Sequence, residues 1–111
     1  MTVSAVIVAA GRGRRLGQFG SDSPKALLEV DGRSLLELSL TALRAVPAVD
    51  ELVVVHPPGK ADAFRRVVGE QVTLVPGGAT RAASVRAGVG AVAASADAVA
   101  IHDAARPLVP P

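Results

Sequence analysis

Four short apolar runs, each ending in an abrupt change of chemistry, constrain this chain more than any other feature. Residues 3–8 (VSAVIV) are nearly continuous in their apolarity and run into Ala9-Ala10-Gly11. Residues 51–55 (ELVVV) run into His56-Pro57-Pro58-Gly59, residues 72–75 (VTLV) into Pro76-Gly77-Gly78, and residues 98–101 (AVAI) into His102-Asp103. A strand with one wet face alternates apolar and polar residues, whereas a strand covered on both faces has no need to. Helical patterns lie between the runs. Ser34 precedes Leu35, Leu36, Leu38, Leu40 and Leu43, with Glu37 completing a capping box, and this helix should stop near Pro47. Residues 60–68 set Ala63, Phe64 and Val67 on one face. Residues 81–94 carry Val85, Val89 and Val92 at helical spacing, weakened by Gly88 and Gly90. Residues 27–32 (LLEVDG) read as a brief extended piece closed by an Asp-Gly turn.

The resulting order, β-α-β-α-β-α-β, predicts an α/β fold: Rossmann-like, with a mostly parallel sheet and helices on both faces. A length of 111 residues suits one small domain, residues 1–111, and not two. Half the chain is hydrophobic and only Phe19 and Phe64 are aromatic, so the core must be aliphatic. There is no cysteine, which excludes disulfides and thiolate metal sites and suits a reducing compartment. The apolar runs fall far short of the roughly 20 residues that cross a bilayer. Met1-Thr2-Val3-Ser4 lacks the charged opening of a secretory signal. These features predict a soluble cytoplasmic protein without a membrane partner.

Ten arginines and two lysines stand against ten acids, a net charge of only +2. Their distribution says more than their sum. Arg12, Arg14, Arg15 and Lys25 meet a single acid, Asp22, and such a local excess suits an anionic ligand. Nucleic acid is disfavoured, because the chain lacks the aromatic side chains on which single strands stack.

Open α/β sheets bind ligands beyond the carboxyl ends of their strands. The unusual segments AAGRGRRLG, PGGATR and HDAARP all fall there. In the first, Ala9, Ala10, Gly11 and Gly13 let a backbone come close to phosphate oxygens, with consecutive N–H groups forming an anion nest. The dinucleotide fingerprint fails, because Leu16 stands where its third glycine belongs, and no Gly-Lys-Ser/Thr closes a P-loop. Asp31 lies about where a ribose-binding acid would fall, but its Asp-Gly context favours a turn. Arg15 and Lys25 are the candidate catalytic cations. Nucleotidyl transfer develops negative charge at the α-phosphate, and fixed cations aimed there lower the barrier. Pro24 fixes the backbone beside Lys25. A tight turn with solvated arginines is the plain alternative for this loop.

The other strand ends allow two readings each. Gly77 and Gly78 before a helix expose N–H donors, and Ser84 can donate and accept at a base edge; alternatively Thr80 or Ser84 caps the helix locally. Asp103 can hold Mg²⁺, which takes one or two carboxylates plus substrate phosphates, or it can serve a turn. His102 reads as a packed or hydrogen-bonded histidine and His56 as structural. Arg106, before Pro107, suits an anionic substrate.

Taken in order, AAGRGRRLG, PKALLEVDG, PGGATRAASVRAG and HDAARP resemble the 2-C-methyl-D-erythritol 4-phosphate cytidylyltransferase family over residues 3–109. The first two motifs are shared widely among sugar nucleotidyltransferases, whereas GG-x-x-R-x-x-SV and HDAARP are much more specific. The resemblance implies a nucleotidyltransferase-type fold in which Ala9, Ala10, Gly11 and Gly13 bind the ribose and phosphates of CTP. Arg15 and Lys25 would then stabilise the pentacoordinate α-phosphate, and Gly78 and Ser84 would read the cytosine. Asp103 would ligate Mg²⁺ or another divalent cation, with Ala104 near the nucleotide and Arg106 toward the sugar-alcohol phosphate. That phosphate would attack CTP in line and release pyrophosphate.

The pattern departs from the family in places. Ala79 stands where some relatives carry an acid, and residues 16–24 form a longer loop than in some of them. Members of the family are also longer, so the likeness is to an N-terminal, nucleotide-binding half of a homodimeric enzyme, truncated before its C-terminal half. The expectation is that residues 1–111 alone turn over little. The alternatives carried forward are a ribitol-5-phosphate cytidylyltransferase and a non-catalytic nucleotide-binding module of the same fold.

Overall fold

The computed structural model describes residues 2–10 and 25–104. In chain order its elements are β1 (Val3–Val8), a 3-10 turn (Lys25–Leu27), the short strands β2 (Glu29–Val30) and β3 (Arg33–Ser34), and α1 (Leu35–Arg44). There follow β4 (Val49–His56), α2 (Ala61–Val68), β5 (Thr73–Pro76), α3 (Arg81–Gly90) and β6 (Ala98–Asp103). Four strands form one parallel sheet in the order β5-β4-β1-β6. The chain therefore moves outward from β1 to β4 to β5, then crosses back to the far side of β1. That reversal makes a switch point between β1 and β6, where such sheets open a ligand crevice.

Register determines which side chains share a face. Val6, Ile7 and Val8 pair with Val53, Val54 and Val55, and with Ile101, His102 and Asp103 on the other side. Ile7 and Val54 turn toward α1 and α2 and share a core with Leu36, Leu40, Phe64 and Val68. Val6, Val8, Val53 and Val55 turn the other way, against Val85 of α3 and Val92 beyond it. Helices thus cover both faces of β1 and β4, whereas the apolar run of β6, Ala98–Ile101, is exposed, contrary to the expectation that all four runs are covered. Phe64, the single aromatic of the described core, is fully buried, and its truncation to alanine would cost about 3–5 kcal/mol.

The predicted capping box is present. Glu37 N–H donates to the Ser34 hydroxyl at 3.0 Å and Ser34 N–H to the Glu37 carboxylate at 3.1 Å. Leu36, Ser39 and Leu40 form the buried stripe of α1, which ends at Arg44, ahead of Pro47. Residues 27–32 hold more structure than a single extended piece: β2 and β3 make a small antiparallel hairpin across Asp31-Gly32. Asp31 (φ 54°) and Gly32 (φ 83°) both lie in the left-handed region that a two-residue hairpin turn of this kind demands.

Several boundaries differ from expectation. β4 starts at Val49 and β6 runs on to Asp103, because parallel pairing with β1 is a backbone matter and tolerates polar side chains. Pro76 ends β5 inside the ladder rather than beyond it, as an edge strand allows. α3 stops at Gly90 rather than near residue 94. Beyond it, Val92 N–H takes a tighter bond to Val89 O, and Ala93 N–H donates to Glu51 at 3.0 Å.

Gly88, a weakness in α3 by helix propensity alone, has the reverse role in the fold. It is buried, and a Cβ there would strike Val6 and, at 2.8 Å, Val55. The helix approaches the sheet this closely because residue 88 has no side chain. Val89, placed on the apolar face by periodicity, is instead 44% exposed. Substituting Gly88→Val should cost about 1–3 kcal/mol through overpacking, seen as a fall in the thermal midpoint of the complete chain. Gly90→Ala, where nothing lies within 4 Å, should leave that midpoint level or raise it.

Glu51 ties this helix exit to the amino ends of β1 and β4. Its carboxylate accepts from the Ser4 hydroxyl at 2.6 Å and from Ala93 N–H. The Ser4 bond foremost, then the Ala93 bond, hold its pKa below the ordinary value of 4.5 despite some desolvation. The unfolded chain therefore takes up this proton first as pH falls. The stabilisation is complete above pH 4.5 and declines below it, toward the lowered folded value. Glu51→Gln should flatten the acid limb of the stability profile below pH 4.5 in denaturant unfolding; an unchanged acid limb would contradict the assignment.

Candidate functional site

The carboxyl ends of the strands are tied together by backbone bonds. Ala9 N–H donates to Val55 O at 2.8 Å, Gly77 N–H to His56 O at 2.8 Å, and Ala104 N–H to Val8 O at 3.1 Å. Each bond carries the ladder one step past its strand, so the segments that follow all leave the sheet along one edge. Ala9 and Ala104 are buried beside Ala26 in the α1/α2-side core, while Ala10 rests against the α3-side cluster.

The turn from β5 into α3 closes over Ala10. A Cβ on Gly77 would come to 2.6 Å from Ala10 Cβ and 2.7 Å from Ser84 Oγ, so only glycine fits between them. Gly78 N–H donates to the Ser84 hydroxyl at 3.1 Å, and Thr80 caps the helix by accepting from Ala83 N–H at 3.0 Å. Of the two readings left open for this turn, local capping belongs to Thr80. Ser84 instead braces Gly78, and it is 2% exposed.

β6 alternates sides as it ends. His102 faces α1, with its Nε2 hydrogen-bonded to the buried Ser39 hydroxyl at 3.1 Å, the packed histidine of the sequence reading. Asp103, paired with Val8, faces α3. There Arg81, the first residue of α3, donates from Nε to Oδ1 and from a terminal nitrogen to Oδ2, both at 3.3 Å. Charge-assisted bonds usually measure about 2.7–2.9 Å. A pair this long with partly exposed members is worth about 0–1 kcal/mol. His56 is structural as expected: it is buried, donates from Nδ1 to Pro57 O at 2.8 Å and leans on the Phe64 ring at 5.8 Å.

Of the candidate residues, the structure brings together Ala9, Ala10, Gly78, Ser84, Asp103 and Ala104. Ala9, Ser84 and Ala104 are buried, while Gly78 is exposed and Asp103 partly so. Lys25 opens the 3-10 turn next to the buried Ala26; its side chain, like Gly11, Gly13, Arg15 and Arg106, lies outside the described residues. Gly77 is as sterically demanded as Gly78. One residue was missed: Arg81 reaches the Asp103 carboxylate. It stands in the PGGATR segment, so the motif held the signal and only the partner was unknown. Among the described residues no three His, Cys, Asp or Glu side chains gather into a metal cage. Asp103 nonetheless fits a hard cation that takes one protein carboxylate and the rest of its shell from phosphates and water.

A parallel sheet with its switch point beside β1, a close-packed glycine turn and a carboxylate at the end of β6 define a Rossmann-type unit of the nucleotidyltransferase class. The chain belongs to the 2-C-methyl-D-erythritol 4-phosphate cytidylyltransferase family, whose model matches residues 3–111. The enzyme of that name from Frankia casuarinae is 43% identical over 98% of this chain and 40% of its own length. That from Cereibacter sphaeroides is 47% identical over 100% of this chain and 50% of its own. The chain thus spans about half the length of the curated relatives it matches. Among solved structures, the 4-diphosphocytidyl-2C-methyl-D-erythritol synthase of Anaerococcus prevotii superposes with a TM-score of 0.77 at 28% identity, covering 96% of this chain and 44% of that one.

Ser84→Ala removes the acceptor that braces Gly78. It should lower stability by about 1 kcal/mol and speed hydrogen exchange at the Gly78 amide in particular. Exchange at Gly78 no faster than in the parent would show that the turn does not depend on this hydroxyl.

Proposed function

We propose that the complete protein transfers a cytidylyl group from CTP to 2-C-methyl-D-erythritol 4-phosphate and releases pyrophosphate. The observation that carries this reading is the convergence, at the switch point, of the Gly77-Gly78/Ser84 turn with Asp103 in a chain of this family. On this reading Ala9, Ala10, Gly11 and Gly13 present backbone to the triphosphate, and the Gly78 turn, braced by Ser84, meets the cytosine. Asp103 supplies the carboxylate for a divalent cation, which when bound would neutralise phosphate charge. Arg15 and Lys25 stabilise the charge that builds on the α-phosphate during in-line attack. Arg106 lies toward the alcohol phosphate. No covalent adduct with the chain is needed, because the attacking phosphate is itself the nucleophile. A cytoplasmic location and a homodimeric complete protein go with this reading.

Pyrophosphate release by the complete chain, with CTP and either 2-C-methyl-D-erythritol 4-phosphate or ribitol 5-phosphate, tests the assignment. Turnover should require the former; preference for ribitol phosphate, or CTP binding without turnover, would overturn it. Lys25→Ala should lower kcat far more than CTP affinity, because a transition-state contact is missed most at the barrier. Unchanged kcat would remove Lys25 from the reaction.

A further inference from the structure

Arg81 has no part in the roles given above, yet among the described residues it is the side chain that engages Asp103. Its position is electrostatically awkward. It is the first residue of α3, at the helix end that favours anions and disfavours a cation. Its charge therefore calls for an anionic partner across the site, and Asp103 is the one at hand. The guanidinium lies side-on and faces both carboxylate oxygens, each contact at 3.3 Å, with the arginine side chain 63% exposed and that of Asp103 27%. A dication on the same two oxygens would meet this positive charge at close range, so the two occupancies oppose each other. A long, solvent-washed pair can be exchanged readily. A freed guanidinium at the mouth of the switch point also has the planar fork that suits phosphate oxygens.

We propose that Arg81 is the exchangeable counter-ion of Asp103. Its guanidinium neutralises the carboxylate until a cation-bearing nucleoside triphosphate claims those oxygens, and it then turns onto the phosphates. Arg81 thereby makes cation binding depend on nucleotide, since it opposes the bare ion and rewards the ion that arrives with phosphate. This rests on the reading that Asp103 holds a divalent cation.

The test uses the complete chain with Mn²⁺ alone as probe, free Mn²⁺ being read by electron paramagnetic resonance, and CTP affinity measured separately with the cation present. Arg81→Met should bind Mn²⁺ about fivefold more tightly without nucleotide. It should bind CTP about tenfold more weakly with the cation present. Arg81→Lys, which keeps the charge without the fork, should recover only part of the CTP affinity. Mn²⁺ affinity that is unchanged or weaker in Arg81→Met would overturn the exchange, and so would unchanged CTP affinity. Asp103→Asn separates this failure from the one beneath it. If that variant loses Mn²⁺ while Arg81→Met shows no tightening, only the exchange falls. If Asp103→Asn binds Mn²⁺ as the parent does, the cation reading falls and takes the exchange with it. Arg81→Gln carries the same expectations should Arg81→Met lower the thermal midpoint.

Discussion

The structure depends on β1 being hydrogen-bonded in parallel on both sides. Val6, Ile7 and Val8 each have a partner in β4 and another in β6, and one further bond past each strand brings the chain exits level. Parallel neighbours cannot be joined by tight turns, so each connection must cross a face of the sheet and begin again at the same end. Segments far apart in sequence are thereby delivered to one edge. The Ala9-Ala10 exit, the Gly77-Gly78 turn and Asp103 meet there because the ladder leaves them no other place.

The two faces of that ladder are filled in different ways, and the difference bears on the site. On the α1/α2 face the space is taken by Leu36, Leu40, Phe64 and Val68, large side chains that hold the helices off the sheet. On the α3 face Gly88 meets Val6 and Val55, and Gly77 meets Ala10 and Ser84, with almost no side-chain volume between them. The close approach lowers the start of α3 onto the strand ends. Arg81, at that start, lies within reach of Asp103.

A single carboxylate facing one arginine is a modest device, and its properties follow from where it sits. Asp103 lies at the end of an outer strand, partly open to solvent and matched by an arginine that costs little to move. The neighbouring His102 points the other way, to Ser39, so alternation along β6 keeps an imidazole out of the site and a carboxylate in it.

Much of this was legible in the chain itself. The four strands followed from their apolar runs, although the inference of two covered faces held for β1 and β4 and not for the exposed run of β6. The start of α1 followed from Ser34 and Glu37, and the hairpin turn from Asp31-Gly32, because these are local rules acting over a few residues. PGGATR and His102-Asp103 do fall at strand ends, where such sheets bind ligands. Local pattern misled in α3. There a helical period assigned Val89 to the core and counted Gly88 as a defect, although contact with Val6 and Val55 decides both. The pairing of Arg81 with Asp103 lay beyond any periodicity, for the two residues are 22 apart and belong to different elements. Sequence alone determined which segments become strands, helices and loops, because short-range backbone and burial preferences suffice for that. Which side of the sheet each helix covers, how near it comes, and which charge faces which were decided only when the strands took the order β5-β4-β1-β6. Those are distances across the fold, and they exist only once the ladder has formed.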